Sequence, residues 1–140
     1  MEFYLAILFS FPGVHIYFYL VNTHFQDSTG LDPGSYSTAE DLVVLSEYLF
    51  KNYPLFAQIV AMPVYSLYLD DGTLHHKLIN TNSLLGYSGV IGGKTGWTDM
   101  ARGCFMTIKK SPQQGKYIIN IVLGADDRFL EMKKLIDLPY

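Results

Sequence analysis

Lys94, Thr95 and Gly96 stand side by side directly after an apolar run that already contains two glycines, in the stretch VIGGKTGWTDMARGCF, residues 90–105. Glycines inside a strand mark places where another backbone or a ligand comes close. A lysine ammonium and a threonine hydroxyl at one strand edge are the cation and donor that a carboxylate needs. Gly96 also lacks the Cβ that would block an approaching ligand. The pattern favours a strand that lines a cleft and holds an extended peptide, although Lys-Thr-Gly alone also fits an exposed strand end before a turn.

The elements before this strand begin with a turn-rich loop over residues 22–37. Ser37 and Glu40 have the spacing of a capping box and predict the start of a helix over residues 37–50, which ends near Asn52 and Pro54. The apolar stripe of that helix consists of Ala39, Leu42, Val43, Leu45, Ser46, Leu49 and Phe50, with Asp41 and Glu47 directed outward. A second, shorter helix is expected over residues 55–60.

From residue 62 onward the pattern changes to that of strands. PVYSLYL and LHHKLI, joined by DDGT, predict a hairpin that turns at Asp71 and Gly72. Three further strands are expected at residues 89–94, 103–109 and 116–123, followed by a closing helix over residues 127–138 whose apolar positions include Leu130, Leu135 and Leu138. The order predicts an α+β fold in which helices pack on an antiparallel sheet.

The first 21 residues form an apolar leader of uncertain origin. The run FYLAILFSFPGVHIYFYLV is interrupted by Pro12 and Gly13, whereas a membrane-spanning helix needs about 20 consecutive apolar residues. Its start carries Glu2 and no positive charge, and no small-residue cleavage site follows, so it is not a convincing signal peptide. A non-native leader, a buried strand or helix, and a membrane segment or signal remain open interpretations.

Composition excludes several classes of function. A net charge of −3 gives no electrostatic case for nucleic-acid binding, and a single cysteine, Cys104, excludes an internal disulfide. His75 and His76 are adjacent, so in a strand they point to opposite faces and are poorly spaced to share a metal. We expect neither a metal nor another cofactor.

Five sequence blocks, in order, resemble the D-alanyl-D-alanine carboxypeptidases of the low-molecular-weight penicillin-binding proteins, serine peptidase family S11. The blocks are NTHFQDSTGLD, YSTAEDL, NTNSLL, GGKTGWTDMARGCF and IVLGADDR. Lys-Thr-Gly is a signature of penicillin-binding proteins and class A β-lactamases. A β-lactamase-like relative is an alternative, and the first block favours the carboxypeptidase. The resemblance implies that residues 22–138 are the second half of the catalytic domain, an incomplete β-lactamase/transpeptidase-like fold.

The resemblance also implies a function and a set of site residues. Members are hydrolases of peptidoglycan synthesis and remodelling in the cell envelope, which remove the terminal D-Ala of stem peptides and are acylated by β-lactams. Lys94 and Thr95 would bind the substrate carboxylate. Gly96 and Trp97 would carry the strand edge near the oxyanion hole, and Arg128 would support the site electrostatically. A surface arginine at a helix start is the simpler interpretation of Arg128.

The nucleophile of this mechanism is missing from the sequence. No serine of the chain is followed three residues later by lysine, and no Ser-x-Asn occurs. In the family both motifs precede the first block, where this chain has its apolar leader. Covalent catalysis needs an activated nucleophile, so we expect the chain to be inactive alone and complemented, if at all, by the missing N-terminal half. The alternative is a catalytically dead module that binds peptidoglycan peptides or a protein.

Overall fold

The computed structural model describes residues 20–139, so most of the apolar leader predicted for residues 1–21 lies outside it. Two helices come first, α1 (Ala39–Asn52) and α2 (Pro54–Ala61). Strands β1 (Val64–Tyr68) and β2 (Leu74–Ile79) follow, and then β3 (Val90–Thr98), β4 (Arg102–Lys110) and β5 (Tyr117–Ala125). Helix α3 (Arg128–Ile136) closes the chain. The α+β architecture predicted from the sequence is confirmed.

Helix α1 begins one residue later than its predicted capping box. Thr38 is the N-cap, and its hydroxyl accepts from the backbone N–H of Asp41 at 3.3 Å. Ser37 is engaged elsewhere, because its hydroxyl lies 2.8 Å from the hydroxyl of Thr23. The prediction that Asp41 faces solvent is wrong. It is 8% exposed and accepts from the Thr23 hydroxyl at 2.6 Å and from the Asn22 N–H at 3.0 Å.

Strands β3, β4 and β5 form one antiparallel sheet in that order, which leaves β3 as an edge strand within the described part of the chain. Its register pairs Lys94 with Met106 and Thr95 with Phe105. Strands β1 and β2 form a separate antiparallel hairpin. Gly72 stands in the turn of that hairpin with φ +84°, a left-handed conformation that favours glycine.

Alternating residues of β4 build two cores on opposite faces of the sheet. Met106 and Ile108 belong to the core formed with α1 and α2. Phe105 belongs to the core formed with α3, and the Thr107 hydroxyl contacts the Met132 sulfur in the same layer. This is the two-residue period of a strand that is buried on both sides. The sheet therefore lies between helices on both faces.

The apolar face of α3 differs from its predicted stripe. Met132 and Ile136 are buried, while Leu130 and Leu138, which the sequence placed at core spacing, are exposed. The helix ends at Ile136, so Leu138 lies beyond it. Asp127 caps the N-terminus by accepting from the N–H groups of residues 129 and 130.

Candidate active-site strand

Strand β3 extends four residues past its predicted end. The ladder with β4 continues to Thr98, so Lys94, Thr95, Gly96 and Trp97 all lie inside the strand. The sequence predicted an end at residue 94 because a glycine and a turn-rich stretch follow. Pairing of Gly96 with Cys104, and of the next residues along both strands, keeps the backbone extended to the turn.

The two glycines before Lys94 are explained by close packing within the chain. A Cβ on Gly92 would lie 2.8 Å from a methyl group of Val60 in α2, and 3.3 Å from the Val60 carbonyl oxygen. A Cβ on Gly93 would overlap the Met106 carbonyl oxygen of β4 and lie 3.0 Å from the Asn82 side chain. These residues let α2 and the loop before β3 approach the strand, which fits the general meaning of strand glycines.

Gly96 differs from both. A Cβ there would meet only the Cβ of Cys104, at the ordinary contact distance of 3.9 Å. Nothing in the described part of the chain crowds this position, so the face of the strand is more open at Gly96 than at Gly93. Trp97, the next residue, is 49% exposed.

Lys94 and Thr95 point to opposite faces of the sheet, and their polar groups have different partners. The Lys94 side chain folds back so that its ammonium donates to the carbonyl oxygen of Thr95. The Thr95 hydroxyl, in a residue that is 6% exposed, lies 2.6 Å from the hydroxyl of Thr81. Two neighbouring residues of one strand therefore carry a cation and a hydroxyl, the kinds of group from which a carboxylate accepts hydrogen bonds.

Arg128 lies against the same strand. Its Nη1 donates to the Gly96 carbonyl oxygen at 3.3 Å, and its guanidinium carbon lies 4.9 Å from the centroid of the Phe129 ring. The Nε atom is buried and has no hydrogen-bond partner within the described residues. Arg128 is the first residue of α3, but its side chain packs against β3. The simpler interpretation from the sequence, a surface arginine at a helix start, did not include this packing.

A cavity of about 220 Å³ adjoins the strand. Lys94, Thr95, Gly96 and Trp97 line one side, and α1 and the loop over residues 25–30 line the other. Most of the wall is apolar, formed by Leu42, Leu45, Leu49, Met106, Ile121 and Leu123 among others. The cavity is thus a largely hydrophobic space with a cation and hydroxyls at its rim, as small-molecule and peptide sites commonly are.

Asp27 is the carboxylate among the residues that line this cavity. The Thr29 hydroxyl donates to it, and this bond, with the N–H of Gly30, holds the pKa of Asp27 below its usual value. The side chain is therefore ionised at neutral pH. The rim consequently carries charges of both signs, Lys94 and Asp27.

No group of three or more histidine, cysteine or acidic residues with the geometry of a metal site occurs in residues 20–139. Over the same range, none of the helices has the length and apolar character needed to cross a membrane.

Sequence reasoning missed the contribution of the loop before β3. Asn80 and Asn82 bind the backbone of this loop through their side chains, and Thr81 stands between them. A hydroxyl residue flanked by two asparagines was the available signal. The sequence also did not predict that α1 lines the cavity, because the leucines of this helix follow the pattern of an ordinary core helix.

Comparisons with known proteins agree with this arrangement. The peptidase S11 family model, described as D-alanyl-D-alanine carboxypeptidase, matches residues 16–127. D-alanyl-D-alanine carboxypeptidase DacB2 of Mycobacterium tuberculosis is 44% identical over 89 residues, which are 61% of this chain and 30% of the relative. DacF of Bacillus subtilis is 33% identical over 86% of this chain and 31% of its own length.

A solved structure gives the same result for the fold. Penicillin-binding protein D2 from Listeria monocytogenes, in its cefotaxime-bound form, superposes with a TM-score of 0.68 at 36% identity. The alignment covers 82% of this chain and 47% of that protein. The chain therefore spans less than a third of the curated relatives and about half of the solved one. The family model covers well over half of the chain, and the chain belongs to the D-alanyl-D-alanine carboxypeptidases of peptidase family S11.

Proposed function

We propose that this chain supplies the substrate-carboxylate side of a serine-type D-Ala-D-Ala carboxypeptidase site. The observation that carries the proposal is that the Lys94 ammonium and the Arg128 guanidinium contact the carbonyl oxygens of Thr95 and Gly96, neighbours on an edge strand that lines a cavity. The substrate class is a peptidoglycan stem peptide that ends in D-Ala-D-Ala. Its terminal carboxylate would displace the Thr95 carbonyl oxygen as the partner of the Lys94 ammonium.

Each residue has a separate part in this proposal. Lys94 provides the charge and Thr95 the hydroxyl donor, while the open backbone at Gly96 lets the peptide lie along β3. Arg128 adds a second positive charge behind Gly96, where its hydrogen bond also fixes the strand. Trp97, half exposed beside Gly96, would cover the end of the bound peptide.

The chemistry would follow the acyl-enzyme route of the family. A serine oxygen attacks the carbonyl carbon of the D-Ala-D-Ala amide, its proton passes to the leaving nitrogen, and the C–N bond breaks to release D-Ala. Water then attacks the resulting ester and frees the serine. Because these 140 residues contain no Ser-x-x-Lys or Ser-x-Asn, the serine would come from an N-terminal half of the domain that lies outside these residues.

Two further properties follow from this assignment. The assembled domain would be acylated by β-lactams, as the cefotaxime-bound and ampicillin-bound forms of the Listeria relative suggest. The site would work outside the cytoplasmic membrane, in the cell envelope, because that is where peptidoglycan stem peptides are processed.

Mass spectrometry after incubation with a penicillin tests the proposal. The chain alone should gain no penicilloyl mass. When it is mixed with the N-terminal portion of the Listeria relative, which precedes the matched region, the adduct should form on the serine of that portion. An adduct on any serine of this chain would contradict the proposal, as would a mixture that forms a complex yet is not acylated.

The second candidate, a catalytically dead binding module, is favoured by the missing serine motifs. By itself, such a module would bind a D-Ala-D-Ala peptide as tightly as a complex of the chain with an N-terminal half does. The enzyme proposal expects weak binding by the chain alone, because an ion pair in a half-exposed site is worth about 1 kcal/mol or less. A calorimetric comparison of the chain and the mixture distinguishes the two.

A further inference from the structure

The loop between β2 and β3 places a hydroxyl directly on Thr95. The Oγ1 atoms of Thr81 and Thr95 lie 2.6 Å apart, a normal separation for two hydroxyls that share one proton. Thr95 is buried, whereas Thr81 is exposed to solvent. The contact therefore joins an exposed residue of the loop to a largely buried residue of the strand that lines the cavity.

The backbone on both sides of Thr81 is held in place. The Asn80 side chain donates to the Met62 carbonyl oxygen at 2.9 Å and accepts from the Asn82 N–H at 2.9 Å. The Asn82 side chain in turn accepts from the Leu84 N–H at 3.0 Å. Two side-chain-stabilised turns thus hold the backbone that carries Thr81.

The number of protons in the pair limits what Thr95 can do. A hydroxyl has one proton to donate and two lone pairs that accept. If Thr95 donates to Thr81, it has no proton left for a carboxylate. If Thr81 donates to Thr95, the Thr95 proton is free and its oxygen is already anchored. An incoming anion therefore selects the second arrangement.

We propose that Thr81 is a positioning residue that donates to the Thr95 hydroxyl and so directs the Thr95 proton toward the substrate carboxylate. This inference rests on the proposed function, because it assumes that Thr95 meets a carboxylate. Thr81 is not among the residues that line the cavity, so its proposed role is exerted through Thr95. Its effect should consequently appear with ligands that carry the carboxylate and disappear with ligands that lack it.

Ligand-observed NMR titration of the full chain with D-Ala-D-Ala tests this, and it suits weak binding. Thr81→Ser retains the donor and should bind within about twofold of the unaltered chain. Thr81→Val removes the donor with little change of shape, and Thr81→Ala is the second variant should valine disturb folding. Both should weaken binding about fivefold, the effect of one typical hydrogen bond. The amide of D-Ala-D-Ala, which has no carboxylate, should show no difference among the variants.

The double variant with Thr95→Val isolates the coupling between the two threonines. Once Thr95 lacks its hydroxyl, Thr81→Val should cause no further loss. Equal weakening of the dipeptide and its amide by Thr81→Val would show that Thr81 merely tethers the loop, and would overturn the proposal. Unaltered binding by Thr81→Val would also overturn it while leaving the proposed function intact. Failure of the unaltered chain to distinguish the dipeptide from its amide would overturn both.

Discussion

Gly93 of β3 lies close against β4, and a side chain at this position would overlap the Met106 carbonyl oxygen. Gly96, three residues further along the same strand, has only an ordinary contact in the direction of a Cβ. The two glycines therefore have different physical causes, packing at the first and openness at the second. The sequence shows glycine at both positions and cannot distinguish them, because the residues that pack against a strand are decided by the tertiary fold.

The difference between these glycines predicts a difference in stability. Gly93→Ala should destabilise the fold by about 1–3 kcal/mol, the usual effect of inserting a methyl group into a packed site. Gly96→Ala, the control on the same strand, should change the free energy of unfolding by no more than about 0.5 kcal/mol. Urea unfolding followed by circular dichroism measures both. Equal effects of the two substitutions would show that β3 is not packed as described.

The adjacent Lys94 and Thr95 could be identified as candidates from the sequence, because a cation beside a hydroxyl has an evident affinity for anions. The set of atoms that their side chains contact could not be derived in that way. It depends on the fold-back of the Lys94 ammonium to the Thr95 carbonyl oxygen, and on Thr81 reaching across from another loop. The contact of Arg128 with Gly96 also could not be predicted from the sequence, since the two residues become neighbours only when α3 packs on the sheet.

Among the elements, the β1–β2 hairpin and the three strands of the main sheet were predicted within a few residues, except that β3 runs further. The alternation of apolar and polar residues and the Asp-Gly turn are local patterns, so they can be recognised in the sequence alone. The N-cap of α1 was predicted one residue early, at Ser37 instead of Thr38. Both residues are followed three positions later by an acidic residue, so the sequence offers two overlapping capping boxes. The choice between them is made by Thr23, a contact distant in sequence.

Helix α1 is tied to the preceding loop through Asp41. Replacing Asp41 with alanine removes the acceptor of the buried Thr23 hydroxyl and of the Asn22 N–H, so we expect a loss of about 1–3 kcal/mol of stability. Glu40→Ala, at the exposed neighbouring position, is the matched control and should have an effect within about 0.5 kcal/mol. Thermal unfolding distinguishes the two. If Asp41→Ala left the stability of the fold unchanged, the assigned role of this carboxylate would be contradicted.

At the scale of the whole molecule, large apolar side chains are exposed on several elements. They include Val21, Leu31, Leu55, Ile79 and Met100, and Ile79 is 73% exposed. Monomeric proteins rarely expose extensive apolar patches.

The exposed apolar residues predict self-association of the isolated chain. Sedimentation velocity should show concentration-dependent oligomers, because apolar surface that lacks its partner is buried between copies. Addition of the N-terminal portion of a relative that carries the serine motifs should convert these oligomers into a one-to-one complex. A monodisperse monomer with a cooperative thermal transition would contradict this prediction.

The most direct test of the central claim is carboxypeptidase activity of that reconstituted pair. Release of D-Ala from a diacyl-D-Ala-D-Ala peptide should require both parts, and Lys94→Ala should abolish most of it because the substrate carboxylate loses its cation. Lys110→Ala, an exposed lysine at the end of β4, should leave the rate unchanged. A pair that releases D-Ala equally well with Lys94→Ala would show that β3 does not hold the substrate carboxylate.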